Sequence, residues 1–408
     1  SRRGHKARST SDGKKMASRA VARLGTHKNT SGRARRLLSS RTARASSSRI
    51  GATWESFFTP AHKVVISTPA TTSNLGPGFD SFGLSLDLRN RVTVERAEEF
   101  SIDVYGEGEG PNSSIPSTEA NLVVQACYKA LDTMGKLEEM PPLRFECNNV
   151  VPARRGLGSS SSALVAGVAA GLALGGKELY SPTVKKQLLQ LAADEEGSAD
   201  NIAAAIYGGF QVSFKSSDTS RQWITQRVPM PRGLQCVVFI PNEIASVDKE
   251  TSRSTLPAYY KRSDAVHNLG RAAMLVNCFA TGNFDALRFA MEDRLHQQYR
   301  AGLFPFEPLL HAALKAGAHG AFLSSQGPSV VAICGGTTGI DGRVGSDTMS
   351  QFLAEAVSEA LLKAATDFDI EGDVYVATPS DIGLISSGFD KHGTPLWGPE
   401  WEQLQKNK

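Results

Sequence analysis

The chain has 408 residues, of which 40% are hydrophobic and 21% charged, so it is long and apolar enough for two globular domains. No run approaches the roughly 20 consecutive apolar residues that a membrane-spanning helix needs, and we predict no transmembrane segment. Its five cysteines are scattered and lack CxxC spacing, which argues against a disulfide framework or a zinc site and favours buried thiols.

Positive charge is concentrated at the amino-terminal end. Residues 1–50 hold 15 of the 45 Lys and Arg residues but one of the 41 acidic residues, so the remainder carries 30 basic against 40 acidic side chains. A segment rich in Arg and Ser, nearly free of acid and without a strong hydrophobic pattern, is typical of an organelle transit peptide, which we predict for residues 1–60. A nucleic-acid-binding arm is the alternative. It is disfavoured because no aromatic residue precedes Trp54, and bases stack on aromatic rings.

The hydrophobic pattern becomes regular after this segment. It predicts strands over 63–67, 91–96 and 101–105, a helix over 121–134, a strand over 143–147, and helices over 159–174 and 182–196. Strands are predicted over 209–214 and 236–240, helices over 264–280, 284–299 and 306–316, a strand pair around 321–334, a helix over 350–365 and a strand over 373–377. These predicted elements indicate two α+β units, with a boundary near 217–232, where polar residues and Pro interrupt the hydrophobic pattern.

The most informative segment is PARRGLGSSSSA, residues 152–163, a turn that opens directly into a helix of small residues. Glycines let backbone N–H groups approach phosphate oxygens, Ser hydroxyls add donors or a magnesium ligand, and the helix N-terminus adds roughly half a positive charge. One Ser suffices for a structural helix cap, but four follow one another here. A Walker A interpretation of Gly171 to Lys177 fails, because Glu178 follows where magnesium binding needs Ser or Thr.

Two further Gly-rich segments carry polar side chains. PATTSNLGPGFD, residues 69–80, follows a predicted strand, and GAHGAFLSSQGPS, residues 317–329, lies between a predicted helix and a predicted strand. Turn chemistry alone explains much of either segment. Each is therefore a weak or moderate signal when taken by itself.

Together and in this order, the three segments resemble the three motifs of the GHMP kinases, over about Val64 to Gly335. Within that superfamily, the extended first motif PATTSNLGPGFDSFGLSL, the Asp200-Asn201 pair followed by IAAAIYGG, and DRLHQQYR at 293–300 resemble homoserine kinases. The resemblance implies an α+β fold of two domains. An ATP-binding domain over 61–220 would be similar to domain 2 of ribosomal protein S5, and a domain over 221–395 would be ferredoxin-like.

The resemblance also implies an activity. It implies ATP- and Mg²⁺-dependent phosphorylation of L-homoserine to O-phospho-L-homoserine in threonine biosynthesis, by a homodimer that binds neither nucleic acid nor membrane. Together with the predicted transit peptide, this pathway indicates the plastid stroma, with the mitochondrion and the cytoplasm as alternatives. Residues implied to bind ATP are Asn121, Pro152, Gly156, Leu157, Gly158, Ser159, Ser160, Ser161 and Ser162. Ser159, Ser160 and Glu196 would hold Mg²⁺, with Glu195 as the alternative to Glu196.

For the substrate, the resemblance implies that Asp80 holds the ammonium group and that Arg253 and Arg300 hold the carboxylate. Asn74, Ser198 and Asn201 would lie near the reacting end, and the residues implied to be catalytic are Asp200, Asn201 and Arg300. Arg253 as a solvated surface charge and Arg300 as a helix cap are the structural alternatives. Ser198 is a departure from the family pattern, which usually has His there, and it puts a charged imidazole near the phosphoryl group in doubt.

Two other functions remain open. A mevalonate-type kinase of the same superfamily would share the ATP loop but would not need paired acidic and basic groups for a zwitterion. A non-catalytic regulatory member is expected to have lost part of the phosphate loop, whereas this chain keeps the loop whole.

Overall fold

A computed structural model of the chain describes residues 60–110, 113–242, 249–336 and 348–399. Its first elements are β1 (Lys63–Ser73), β2 (Phe82–Arg96), β3 (Ser101–Gly106), α1 (Leu122–Thr133), β4 (Leu143–Asn149), α2 (Ser159–Leu174), α3 (Pro182–Glu196), α4 (Asp200–Tyr207), β5 (Phe210–Lys215) and β6 (Trp223–Val228). They are followed by β7 (Leu234–Pro241), α5 (Lys249–Ser254), α6 (Arg262–Thr281), α7 (Leu287–Ala290), α8 (Gln297–Arg300), α9 (Glu307–Lys315), β8 (Gly320–Leu323), β9 (Val330–Gly335), α10 (Thr348–Asp367), β10 (Gly372–Ala377), β11 (Ile385–Phe389) and β12 (Pro395–Trp397).

The described strands form two sheets. The larger has eight strands in the order β12-β11-β1-β2-β4-β3, with β5 pairing with β2 and β6 pairing with β5. The smaller has four antiparallel strands in the order β10-β7-β9-β8. Among the described elements, β3 and β4 are a parallel pair joined by α1, whereas the other strand pairs are antiparallel. Helices and strands are thus mixed, and the predicted α+β fold class is confirmed.

Helix α2 is buried over almost its whole length against the larger sheet and α1. Every residue from Leu164 to Leu174 is buried, which agrees with a helix that is apolar or small on all sides. Gly167 and Gly171 face the backbone of α1, where a Cβ would overlap the carbonyl oxygens of Val123 and Cys127. Close packing of the two helices fixes the position of α2, and with it the Ser-rich start of the helix.

The smaller sheet is covered on both faces. Side chains of β7 alternate between them, because successive residues of a strand point to opposite sides. Cys236 and Val238 belong to an apolar cluster with α6, whereas Val237 and Phe239 belong to a second cluster with α9 and α10. All five cysteines of the chain are buried, as predicted.

Several predicted elements need correction. The single helix predicted over 284–299 is wrong: the structure has the one-turn helices α7 and α8 with an irregular segment between them. The side chain of Asp293 accepts hydrogen bonds from the backbone N–H groups of Leu295, His296 and Gln297, and this competes with a continuous helix. The sequence pattern does not predict α4, α5, β6, β11 or β12, and β1 extends into the first motif as far as Ser73.

The division into domains at residue 220 stays a prediction. β6, β11 and β12 lie beyond that boundary but belong to the larger sheet, so the two sheets do not correspond to two contiguous segments. The predicted transit peptide lies outside the described residues except for Pro60. In the part of the chain that is described, no helix has the length and apolar character needed to cross a membrane.

Candidate active site

Hydrogen bonds join the three motifs side by side. The N–H of Thr71 in the first motif donates to the carbonyl of Leu157 in the second, at 3.0 Å. Ser324 in the third motif donates to the carbonyl of Gly156 at 2.6 Å and shares a hydrogen bond of 2.7 Å with Thr72. The first and third motifs, which lie far from the second in the sequence, thus hold the Gly-rich loop of the second motif in place.

The second motif requires glycine at two positions. Gly156 and Gly158 have φ angles of 72° and 69°, which favour glycine. A Cβ at Gly156 would overlap the carbonyl oxygen of Ser324, and one at Gly158 would overlap the hydroxyl of Thr71. Gly158 is the N-cap of α2, so the unbonded N–H groups of the first helical turn follow it directly. This arrangement is a binding site for an anion such as phosphate.

A cavity of about 240 Å³ opens at this helix N-terminus. It brings together 13 of the predicted site residues: Asn74, Asp80, Gly156, Gly158, Ser159, Ser160, Ser161, Glu196, Ser198, Asp200, Asn201, Arg253 and Arg300. The set carries both acidic and basic side chains. The cavity therefore suits a ligand that bears charges of both signs.

A second cavity, of about 310 Å³, contains Asn121 and shares Arg154, Ser159 and Ser160 with the first. Its lining is largely apolar, with Ile115, Pro116, Leu122, Val123 and Val151 among its residues. Asn121 caps α1, because its side chain accepts from the N–H of Val123 at 2.9 Å and donates to the carbonyl of Pro116 at 2.7 Å. The predicted position of Asn121 near a nucleoside stays a prediction.

Three predicted residues line neither cavity. Leu157 is buried in the core. The hydroxyl of Ser162 is hydrogen-bonded to that of Thr68 at 2.6 Å, and its N–H donates to the carbonyl of Gly158. Pro152 lies at the start of the turn. The structure thus turns the side chains of Leu157 and Ser162 away from the cleft, behind the loop.

Neighbouring carboxylates at the end of α3 point in different directions. Glu195 forms an ion pair with Lys129 outside the cleft, whereas Glu196 lines the main cavity. The hydroxyl of Ser161 donates to Glu196 at 3.4 Å. Of the two glutamates left open by the sequence, Glu196 is the one beside the Ser-rich loop.

Asp80 and Arg253, which also line the main cavity, form a two-pronged ion pair. Arg253 Nη2 and Nη1 lie 2.9 and 3.2 Å from the two carboxylate oxygens of Asp80. Asp80 has a positive φ of 55°, and its N–H donates to Asn74 Oδ1 at 3.0 Å. Asn74 in turn donates to the carbonyl of Ser325 at 2.8 Å. Asn74 therefore holds the turn that presents Asp80.

Arg300 is almost wholly buried and held from several sides. It donates to His296 Nδ1 at 3.0 Å and to the carbonyl of Ser325 at 2.9 Å, and its guanidinium lies 5.5 Å from the ring centre of Phe79. Burial lowers the pKa of Arg300 to about 10, so it stays charged at neutral pH. Burial also lowers the pKa of His296. Because Arg300 donates to Nδ1, the proton of His296 is assigned to Nε2, which donates to the carbonyl of Gly76 at 2.8 Å.

Asp200 and Asn201 stand at the start of α4. Burial raises the pKa of Asp200, and the negative charge of Asp80 adds to this effect. The hydroxyl of Ser198 donates to Asp200 at 3.0 Å and partly offsets the rise. Asn201 accepts from the hydroxyl of Thr71 at 2.8 Å and donates to that of Ser73 at 3.0 Å, so its amide has a fixed orientation.

Comparison with known proteins identifies the family. A model described as the GHMP kinases N terminal domain matches residues 121–209. A homoserine kinase of Desulfitobacterium hafniense is 34% identical over 78% of this chain and 98% of its own length, and one of Synechocystis is 38% identical over 66% and 85%. The chain belongs to the homoserine kinase family.

Solved structures agree with this membership. The crystal structure of a homoserine kinase from Cytophaga hutchinsonii superposes with a TM-score of 0.65 at 27% identity, covering 81% of this chain and 99% of that one. The mevalonate kinase of L. major, in complex with R-mevalonate, is 15% identical with a TM-score of 0.54, covering 77% of this chain and 95% of its own. At that identity the likeness shows the fold alone.

For this member of the homoserine kinase family, sequence reasoning missed four residues that line the main cavity: Ser73, Arg154, Ser325 and Gln326. Ser73 lies inside the first motif, Arg154 inside the second, and Ser325 and Gln326 inside the third, so the motifs themselves were the available signal. Ser325 has a positive φ of 53° and bonds to Ser73, contacts that no local pattern reveals.

Proposed function

We propose that the chain is a homoserine kinase, which transfers the γ-phosphoryl group of ATP to the side-chain hydroxyl of L-homoserine in threonine biosynthesis. One observation carries the proposal: a single cavity is lined both by an anion-binding helix N-terminus and by the charged side chains of Asp80, Arg253 and Arg300. The helix N-terminus suits phosphate, and the three charged side chains suit an amino acid with an ammonium and a carboxylate group. The similarity to homoserine kinases over most of the chain supports the same assignment.

The two connected cavities fit ATP. The apolar cavity beside Asn121 suits a base and ribose, and the loop from Gly156 to Ser161 suits the phosphates. A Mg²⁺ ion needs oxygen ligands, and Ser159, Ser160 and Glu196 present them on one side of the cleft. These residues would hold the ion, which when bound neutralises phosphate charge.

Homoserine is a zwitterion at neutral pH, and the acidic and basic side chains that line the cleft match it. Its ammonium group would bind Asp80, and its carboxylate would bind Arg253 and Arg300. Binding would then exchange the Asp80–Arg253 ion pair for two ion pairs with the substrate. His296 and Ser325 already hold Arg300 in place, so its side chain would lose little conformational entropy when substrate binds. Its Nε is buried and has no hydrogen-bond partner among the described residues.

Positioning and neutralisation of charge would provide most of the catalysis. Phosphoryl transfer passes through a loose transition state, so a strong base is not essential. Asn74 and Asn201 would orient the substrate hydroxyl. Asp200 is the candidate to accept its proton, because its raised pKa makes it more basic than an exposed carboxylate. Ser198 would orient Asp200 by hydrogen bonding and cannot carry the charge of the His usual in the family.

The test is ADP release from wild-type enzyme with homoserine, mevalonate or galactose as acceptor. Homoserine should be preferred strongly, because mevalonate and galactose lack the ammonium group that Asp80 would bind. Ser160→Leu is the inactive control, since a bulky side chain would fill space lining both cavities. Faster turnover of mevalonate than of homoserine would favour a mevalonate-type kinase. If none of the three acceptors leads to ADP release, a non-catalytic member of the superfamily would be favoured.

We also propose that residues 1–60 direct the protein to the plastid stroma. The support is the excess of Arg and Ser and the scarcity of acid in residues 1–50. A reporter fused to this segment should enter plastids, and deletion up to Phe57 should leave turnover unchanged. Salt-sensitive DNA binding by the segment, without import of the reporter, would favour a nucleic-acid arm instead.

We further propose a homodimer formed through α6. Its exposed side includes Val266 (62% exposed), Leu269 (73%) and Met274 (46%), with open space beside Gly270. Val266 and Met274 lie four residues before and after Gly270. A twofold axis at Gly270 would therefore bring Val266 of one protomer to Met274 of the partner subunit. Light scattering should give a dimer for the wild type and a monomer for Leu269→Glu; a monomeric wild type would contradict the proposal.

A further inference from the structure

Arg154 occupies the junction between the two cavities. Three residues line both of them, namely Arg154, Ser159 and Ser160. A ligand that extends from one cavity into the other must pass these residues. Among the described lining residues of the apolar cavity, Arg154 is the only one with a cationic side chain.

The backbone holds Arg154 in an unusual conformation. Its φ is 57°, in the left-handed region that residues with a side chain rarely adopt. The next residue anchors the loop: Arg155 Nε donates to the carbonyl of Pro241 at 2.7 Å, and Nη2 donates to that of Asn242. Gly156 is held by Ser324. Unfavourable backbone conformations persist where the surroundings impose them, often at binding sites.

Charge in the main cavity is distributed unevenly. Three arginines are among its described lining residues. Arg253 pairs with Asp80, and Arg300 contacts His296 and Ser325. The Ser-rich loop supplies neutral donors, and Glu196 beside it is acidic. Arg154 is the arginine of this set that also lines the apolar cavity, so a polyphosphate passing the junction would meet a cation there.

We infer that Arg154 binds the polyphosphate chain of the nucleotide and neutralises part of its charge. The inference rests on the proposed function, because it requires that the two cavities bind one nucleotide. A guanidinium group suits the task, since its planar fork of donors matches phosphate oxygens two at a time. The chemistry concerned is that of a nucleoside triphosphate, and adenosine without phosphates should not depend on Arg154.

The experiment measures binding of Mg²⁺ and the non-hydrolysable analogue AMPPNP to the full chain by calorimetry. Arg154→Ala and Arg154→Gly should weaken binding roughly ten- to a hundred-fold, as expected for loss of a hydrogen bond to a charged group. Arg154→Lys should weaken AMPPNP binding less, because Lys keeps the positive charge but lacks the planar set of donors of a guanidinium group. Arg221→Ala is the matched control: Arg221 also has a positive φ, of 45°, but lines neither cavity.

Two further readouts separate phosphate binding from damage to the fold. Arg154→Gly should melt at the same temperature as wild type or higher, since glycine accepts a positive φ without strain. Affinity for adenosine should be the same in wild type and Arg154→Ala. Unchanged AMPPNP affinity in Arg154→Ala and Arg154→Gly would overturn this inference and leave the proposed function intact. So would a loss of adenosine affinity as large as the loss of AMPPNP affinity. Failure of the wild type to bind AMPPNP would overturn the proposed function and this inference together.

Discussion

Arg253 donates to both carboxylate oxygens of Asp80, at 2.9 and 3.2 Å, although 173 residues separate them in the sequence. The two side chains are 40% and 36% exposed, so the ion pair contributes only about 0 to 1 kcal/mol to folding. Each group is instead placed to exchange its partner for a charge on a zwitterionic substrate.

Asp80→Asn should therefore impair substrate use while the fold is kept. Loss of a hydrogen bond between charged groups costs about 1.5 to 3 kcal/mol, or roughly a ten- to a hundred-fold drop in kcat/KM for homoserine. KM for ATP should change little, because the Ser-rich loop is separate from Asp80. For an alcohol substrate that lacks the amino group, the substitution should lower kcat/KM much less than it does for homoserine. Unchanged turnover of homoserine would rule out Asp80 as the ammonium ligand.

Arg300→Met should reduce kcat/KM for homoserine to a similar extent, since the carboxylate would lose a charged donor. Arg300 is buried and bonded to His296 and Ser325, so the variant should also lose about 1 to 3 kcal/mol of stability. Kinetics must therefore be measured below the melting transition of the variant. Arg294→Met is the control, because Arg294 is about half exposed and pairs with Asp264 outside the cleft. An equal effect of both substitutions would argue against direct contact of Arg300 with substrate.

Gly158→Ala should weaken both folding and nucleotide binding. A Cβ there would overlap the hydroxyl of Thr71 and must accept a φ of 69°. Gly135→Ala separates the two effects, because Gly135 has a φ of 65° with open space around it. Thermal unfolding should show a loss of about 1 kcal/mol for Gly135→Ala and a larger loss for Gly158→Ala. AMPPNP affinity should fall in Gly158→Ala only.

The dependence of kcat on pH tests the role of Asp200. Burial and the charge of Asp80 raise its pKa above the usual 3.8, so activity should decline on the acid side at a higher pH than for an exposed Asp. Asp200→Asn should remove this acid limb and lower kcat. The folded state holds this proton more tightly than the unfolded state. The ionised carboxylate of Asp200 therefore lowers the free energy of unfolding at neutral pH. This destabilisation declines as the pH falls through the pKa of Asp200 in the folded state. An acid limb retained in Asp200→Asn would assign it to another group.

Local features of the chain are enough to predict the phosphate loop and the helices around it. The predicted helices over 159–174 and 182–196 agree with α2 and α3 in the structure. The Gly and Ser pattern of residues 152–163 indicates a turn that opens a helix, since glycine favours positive φ angles and a helix start depends on neighbouring residues. Where side-chain chemistry competes with periodicity, prediction fails: the carboxylate of Asp293 interrupts the helix predicted over 284–299.

What the sequence determined by itself was therefore the fold class, the motifs and most of the residue types in the cleft. Only the tertiary structure decided which of them face it. Glu196 lines the cavity and Glu195 does not, Ser162 bonds to Thr68 behind the loop, and Arg154 stands where two cavities meet. The physical reason is that side-chain direction follows from how α2 packs on α1, α3 and the larger sheet and from how the loop before α2 is held by the other two motifs, and these contacts join residues far apart in the chain.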